Sequence, residues 1–104
     1  MTPEFRVAGS NRVQIGCDVH SVRHVSQSIE AFGSRYLDRV FTARERRESE
    51  DSPERLAARF AGKEAVLKAL RVPPTVPVPW TTIEVHADAI GAPVVTLTGP
   101  VEDF

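Results

Sequence analysis

Between Val13 and Val19 the chain alternates, with Val13, Ile15, Cys17 and Val19 apolar against Gln14, Gly16 and Asp18. That is the two-residue period of a strand with one buried face, and it puts Asp18 and His20 together on the other face. From Val22 the period lengthens. Val22, Val25, Ile29 and Phe32 recur at three- and four-residue spacing, which predicts an amphipathic helix with Ser21 as its cap and Gly33 as its stop. Tyr36 to Phe41 reads as a further helical turn. Thr42 then caps a short polar helix through ARERRESE, whose Arg44–Arg47 cluster alternates with acids and reads as solvated surface. Ser52-Pro53-Glu54 is a strong helix start, and the helix runs to about Leu70. The segment Arg71 to Pro79 carries four prolines and reads as an extended connector. Trp80–His86 and Pro93–Thr98 alternate around the turn residues DAIGA and predict an antiparallel hairpin. Residues 1–12 show no clear period and read as a loose tail, with Phe5 to Val7 available to extend a neighbouring strand.

Composition narrows the function class. A chain of 104 residues and 11.5 kDa has room for one domain, taken as residues 1–104. Thirteen basic and fourteen acidic residues leave a net charge of −1, so the overall balance calls for neither nucleic acid nor an anionic membrane. No stretch approaches the roughly 18 apolar residues of a membrane span, and the first residues lack a signal peptide's apolar run. The single cysteine, Cys17, has no internal disulfide partner; at an inward strand position it reads as a small buried hydrophobe. A cytoplasmic protein is the expectation. Eleven of the thirteen basic residues are arginine, and the two lysines, Lys63 and Lys68, lie close together on the long helix.

On a helical wheel, Leu56, Phe60, Leu67 and Leu70 form the core-facing stripe of that helix, and Lys63 falls inside it. A lysine there must snorkel, pair or meet a ligand, because an uncompensated buried ammonium is costly. Glu64 and Lys68 stand one turn apart on one flank, and Arg55 and Arg59 on the other. Taken alone, Glu64 and Lys68 are an ordinary surface ion pair contributing about 0.2–0.5 kcal/mol. Asp18 changes the weighting: a carboxylate ending an apolar strand, beside Glu64 on a core helix, supplies the two oxygen ligands that Mg²⁺ usually takes from a protein. Arg59, Lys63 and Lys68 would then face phosphates. Trp80 packs at the start of its strand, and His86 has no evident partner.

At these residues the sequence resembles the holo-acyl-carrier-protein synthase group of 4'-phosphopantetheinyl transferases. The segments are IGCDV at 15–19, FTARE at 41–45, ERLAARFAGKEAVLKAL at 54–70, PWTTIEV at 79–85 and GAPVVTLTG at 91–99. The resemblance implies an α+β fold with the long helix packed on a small antiparallel sheet. It implies Mg²⁺-dependent transfer of phosphopantetheine from coenzyme A to a serine of an apo acyl carrier protein, releasing 3',5'-adenosine bisphosphate. In that scheme Asp18 and Glu64 hold the metal, and Arg59, Lys63 and Lys68 clamp the coenzyme A phosphates. Glu64 and Lys68 serve catalysis, with Glu64 as the base for the serine proton, while His20 is a bystander. Arg23 and His24 face the carrier protein, His24 standing where relatives place a basic residue. A cytoplasmic homotrimer serving fatty-acid or polyketide carriers is also implied.

The chain departs from the family pattern in two further places. Relatives continue through another helix and a strand with a Ser-x-Ser-His motif, whereas this sequence reaches Phe104, so the expected fold lacks those elements and has a sheet edge open to a partner. Relatives also place a glycine-rich turn after the long helix, where Arg71–Pro79 has no glycine. These departures motivate a second reading, a non-catalytic family member acting as a coenzyme A- or carrier-protein-binding interaction subunit.

Overall fold

The computed structural model describes residues 4–6 and 19–104, with side chains from residue 21 onward. Its elements are β1 (Glu4–Arg6), α1 (Val19–Phe32), α2 (Ser34–Val40), α3 (Ala43–Ser49), α4 (Pro53–Leu70), β2 (Ile83–Ala87) and β3 (Pro93–Leu97). Short 3₁₀ turns occupy Trp80–Thr82 and Gly99–Asp103. This is the α+β architecture expected from the sequence.

Local chemistry explains most boundaries. Gly33 ends α1 at φ +58°, its N–H donating to the Ile29 carbonyl at 2.7 Å. Helix α1 begins at Val19, so Ser21 lies inside its first turn instead of capping it, and Val19 is helical instead of ending a strand. The rest of the predicted strand, residues 13–18, lies outside the described residues. Val25 is buried as the periodicity requires, but Phe32 is 64% exposed, because none of the described residues covers the last turn of α1 where the chain reverses at Gly33. Thr42 caps α3 reciprocally: its hydroxyl accepts from the Glu45 N–H at 3.1 Å while Glu45 Oε1 accepts from the Thr42 N–H at 2.9 Å. Ser52 caps α4 with Pro53 as its first residue, and Arg71 closes it in the left-handed region at φ +54°.

The sheet has the order β1-β3-β2 and is antiparallel throughout, with Val85 opposite Val95 and Phe5 opposite Val95 on the other side. In the β2–β3 turn the Asp88 carboxylate accepts from the N–H groups of Ile90 (3.0 Å) and Ala92 (2.9 Å). Residues 4–6 form an edge strand on β3, the role that the sequence leaves open to Phe5–Val7 within an otherwise loose tail. Three residues pairing through their main chain with β3 are too few to display a hydrophobic period.

Helix α4 lies between two apolar clusters. Its N-terminal half, through Leu56, Ala57 and Phe60, packs with Val25 of α1, Leu37 and Val40 of α2, and Phe41. Its C-terminal half, through Val66, Leu67 and Leu70, packs on Ile83, Val85, Val95, Leu97 and Val101. Lys63 sits at the crossover, fully buried. Its ammonium donates to Glu45 Oε1 (2.7 Å), the Trp80 carbonyl (2.8 Å) and the Ile83 carbonyl (2.7 Å), and lies 5.6 Å from the centre of the Phe41 ring. All three donors of the ammonium are satisfied.

The same set of side chains seals the outer edge of β2. The Ile83 carbonyl accepts from Lys63, the Val85 N–H donates to Glu45 Oε2 (2.8 Å), the Val85 carbonyl accepts from Arg59, and the Ala87 N–H donates to Glu48 Oε1 (3.0 Å). Those are the groups a further strand would have bonded. The edge expected to be open to a partner is therefore not that of β2. The reading of ARERRESE as wholly solvated also fails, because Glu45 and Ser49 are fully buried on the side of α3 that faces this edge.

Glu45→Ala would leave the Lys63 ammonium buried without its counter-charge. The expected loss is roughly 3–5 kcal/mol of folding stability, measured by urea denaturation, against a negligible change for the exposed Arg47→Ala on the same helix.

Candidate functional site

Helices α1 and α4 enclose a groove of about 200 Å³ lined by Ser21, His24 and Val25 from α1 and by Ala57, Phe60, Ala61 and Glu64 from α4. Its floor is apolar and its rim carries His24 and Glu64. The geometry follows from helical pitch: at 100° per residue, Phe60, Glu64, Ala57 and Ala61 fall on one arc of α4, with Phe60 at its edge about 60° from Lys63 and the other three about 100° or more from it. Lys68 falls on the same arc.

Glu64 and Lys68 are both exposed. Their four-residue spacing permits a surface ion pair, yet none forms: among the described residues, the salt bridges of α4 are those of Arg55 to Glu50 (3.9 Å), Arg59 to Glu48 (3.2 Å) and Lys63 to Glu45 (2.7 Å). A carboxylate and an ammonium thus stand one turn apart with no salt-bridge partner among the described residues, and the carboxylate lines the groove. Arg23 and His24 are exposed on α1.

Two members of the expected phosphate clamp face the other way. Lys63 has no exposed surface and no spare donor; burial lowers its pKa from the ordinary lysine value, and the Glu45 carboxylate beside it opposes that shift. Arg59 donates through Nε to Ser49 Oγ (2.8 Å) and through its guanidinium to the Val85 carbonyl, with Glu48 Oε1 at 3.2 Å. Both residues hold α4 to α3 and β2, and of the three expected clamp residues only Lys68 stays open to a ligand. Asp18 lies outside the described residues. It is joined to Val19, the first residue of α1, whose first turn supplies Ser21 to the groove. No group of three His, Cys, Asp or Glu side chains among the described residues forms a metal cage. The described part of the site thus offers one exposed carboxylate, Glu64, a hard oxygen donor of the type Mg²⁺ takes in ones and twos.

The sequence reading missed two groups. Glu45 was placed on a solvated face, although a lysine inside an apolar stripe requires a counter-charge and Glu45 ends the FTARE segment. His86 was left without a partner, whereas it is buried with Thr96 Oγ1 at 2.8 Å from Nε2 and Arg44 Nη1 at 3.0 Å from Nδ1. Arg44 also lies 3.6 Å from Glu84, whose other oxygen accepts from Thr42 Oγ1 at 2.6 Å. A wider, open depression beside α3 is bordered by Asp38, Thr42, Arg46 and Asp51. Its Arg46 is already held between Asp38 and Asp51, so its charge is internally neutralised. No helix of the described residues is long and apolar enough to cross a membrane.

The family model of the 4'-phosphopantetheinyl transferase superfamily matches residues 14–104. A holo-[acyl-carrier-protein] synthase of Xanthobacter autotrophicus is 43% identical over 90 residues, covering 84% of this chain and 67% of that protein. Holo-[acyl-carrier-protein] synthases of Brucella ovis and Brucella abortus are each 42% identical over 90 residues with the same coverage. No solved structure matches. A family match spanning nearly the whole chain and relatives at 42–43% identity lead to one conclusion: this chain belongs to the 4'-phosphopantetheinyl transferase superfamily and is a transferase enzyme.

Proposed function

We propose that the chain transfers 4'-phosphopantetheine from coenzyme A to a serine of an apo acyl carrier protein, in a Mg²⁺-dependent reaction releasing 3',5'-adenosine bisphosphate. The observation that carries this reading is the exposed Glu64 in the lining of the groove, with Lys68 exposed one turn further along α4 and neither in a salt bridge among the described residues.

Asp18 and Glu64 would hold the metal, which when bound supplies neutralisation of charge on the transferring phosphoryl oxygens. Lys68 contributes a compact, mobile positive charge to the diphosphate of coenzyme A. The Glu64 carboxylate would take the serine proton as the oxygen attacks phosphorus. The apolar floor formed by Val25, Ala57, Phe60 and Ala61 suits the aliphatic parts of a pantetheine arm and keeps water from them. Arg23, exposed on α1, and His24, exposed at the groove rim, suit an acidic helix of the carrier protein. Lys63 and Arg59 act only by holding α4. The names of the relatives support an acyl carrier protein as acceptor, and the resemblance supports a cytoplasmic homotrimer acting in fatty-acid or polyketide synthesis.

A second reading, an interaction subunit that binds coenzyme A or carrier protein without turnover, draws on one specific observation: two of the three expected clamp residues are committed to the fold. Intact-mass spectrometry of apo carrier proteins incubated with the chain, coenzyme A and Mg²⁺ separates the two. A metal-dependent gain of one phosphopantetheine supports the enzyme; bound coenzyme A without any gain supports the interaction subunit.

Asp18→Ala and Glu64→Ala are each expected to abolish the mass gain while the melting temperature stays near that of the unmodified chain. Lys68→Ala is expected to weaken coenzyme A binding about tenfold by calorimetry, the scale of one lost charge-assisted contact; an unchanged affinity removes Lys68 from the site. Light scattering is expected to return three times the 11.5 kDa chain mass.

A further inference from the structure

We propose that the buried Glu45–Lys63 pair is the positioning device of the site, fixing the rotation of α4 about its own axis and so the direction in which Glu64 leaves the helix; the inference rests on the role proposed for Glu64 above. The three acceptors around the Lys63 ammonium come from three separate parts of the chain: α3 (Glu45), the 3₁₀ turn (Trp80) and β2 (Ile83). Contacts from three directions locate a point in space, which a single ion pair does not. Glu45 is fixed in turn by the N–H groups of Thr42 and Val85. Its carboxylate ties the cap of α3 and the edge of β2 to the same ammonium.

Glu64 follows Lys63 directly, so its direction is that of Lys63 turned through 100°. One turn earlier Arg59 ties α4 to α3 and β2 through Ser49, Glu48 and the Val85 carbonyl, and Lys63 is the tie adjacent to Glu64 itself. On the preceding residue, Gly62, an added Cβ would lie 3.2 Å from Val85 Cγ2, so helix and strand approach closely with no side chain of residue 62 between them. Beyond Lys63 the α4 side chains on the sheet, Val66, Leu67 and Leu70, are aliphatic and tolerate small slides. A roll of about 20° would move an atom at the 5–6 Å outer radius of the helix by about 2 Å, and misplacement by about 1 Å is enough to cost a reaction roughly 100-fold. Stability alone gives little reason for an ion pair here, since buried pairs are often matched by apolar residues of similar volume.

The test compares Lys63→Met with Leu97→Ala, a substitution in the apolar cluster of the sheet that also lowers the melting temperature, both assayed well below their melting points. Two readouts are taken for each: kcat and KM for an apo carrier protein by mass spectrometry, and Mn²⁺ affinity by electron paramagnetic resonance, with Glu64→Ala as the reference for a lost ligand. Lys63→Met is expected to lower kcat at least tenfold with carrier KM within about twofold, and to weaken Mn²⁺ binding toward the Glu64→Ala value. Leu97→Ala is expected to leave both unchanged per folded molecule. Retention of wild-type kcat and Mn²⁺ affinity in Lys63→Met overturns the proposal, as does an equal loss in Leu97→Ala. If Lys63→Met does not fold, Lys63→Arg, which keeps the charge but presents a planar fork, is read on the same two scales. A wild-type chain that binds Mn²⁺ through Glu64 but transfers nothing ends the transferase reading and leaves Mn²⁺ affinity to decide the positioning role; one that neither transfers nor binds Mn²⁺ ends both.

Discussion

A lysine ammonium with no access to water sits where the two apolar clusters meet, and its three protons go to three different elements. An ammonium in that position is tolerated only with a counter-charge and full hydrogen bonding, so the placement of Lys63 dictates that of Glu45. Glu45 in turn dictates where α3 lies, because the carboxylate that meets Lys63 also closes the α3 cap and accepts from the Val85 main chain. One buried charge thereby fixes α3, α4, β2 and the 3₁₀ turn relative to one another.

The sealed outer edge of β2 follows from the same requirement. A short sheet with an exposed edge is a template for unwanted pairing. Here Glu45, Glu48, Arg59 and Lys63 complete the main-chain hydrogen bonds that another strand would have made. Charged side chains take the hydrogen bonds of that edge, and the basic residues on α4 divide accordingly. Arg59 and Lys63 hold the scaffold together, while Lys68 remains available to a ligand.

The groove is the complement of this anchored face. Every group of α4 turned toward the sheet is apolar or fully bonded, and Glu64, a quarter turn away, borders the contact with α1 beside His24 and Ser21. An exposed carboxylate and lysine on a rigid helix are well suited to phosphoryl transfer, which asks a protein mainly for positioning and charge.

Most elements were legible in the sequence because their signals are local. Thr42, Ser52-Pro53 and Gly33 mark helix ends through hydrogen bonds and dihedrals within a few residues, and the alternation around DAIGA marks the hairpin. The long helix and its Glu64–Lys68 register were equally plain, and with the ordered family segments they gave the candidate site. What only the tertiary structure decided is which charges face inward. Glu45 and Arg47 are alike as members of a charged run, and Lys63 and Lys68 as lysines of one helix, but the first of each pair is buried and the second exposed. The difference arises because Glu45 and Lys63, 18 positions apart, meet only once α3 and β2 close around α4. Burial of a charge is a property of the pair and its surroundings, and so is absent from the local pattern of either segment.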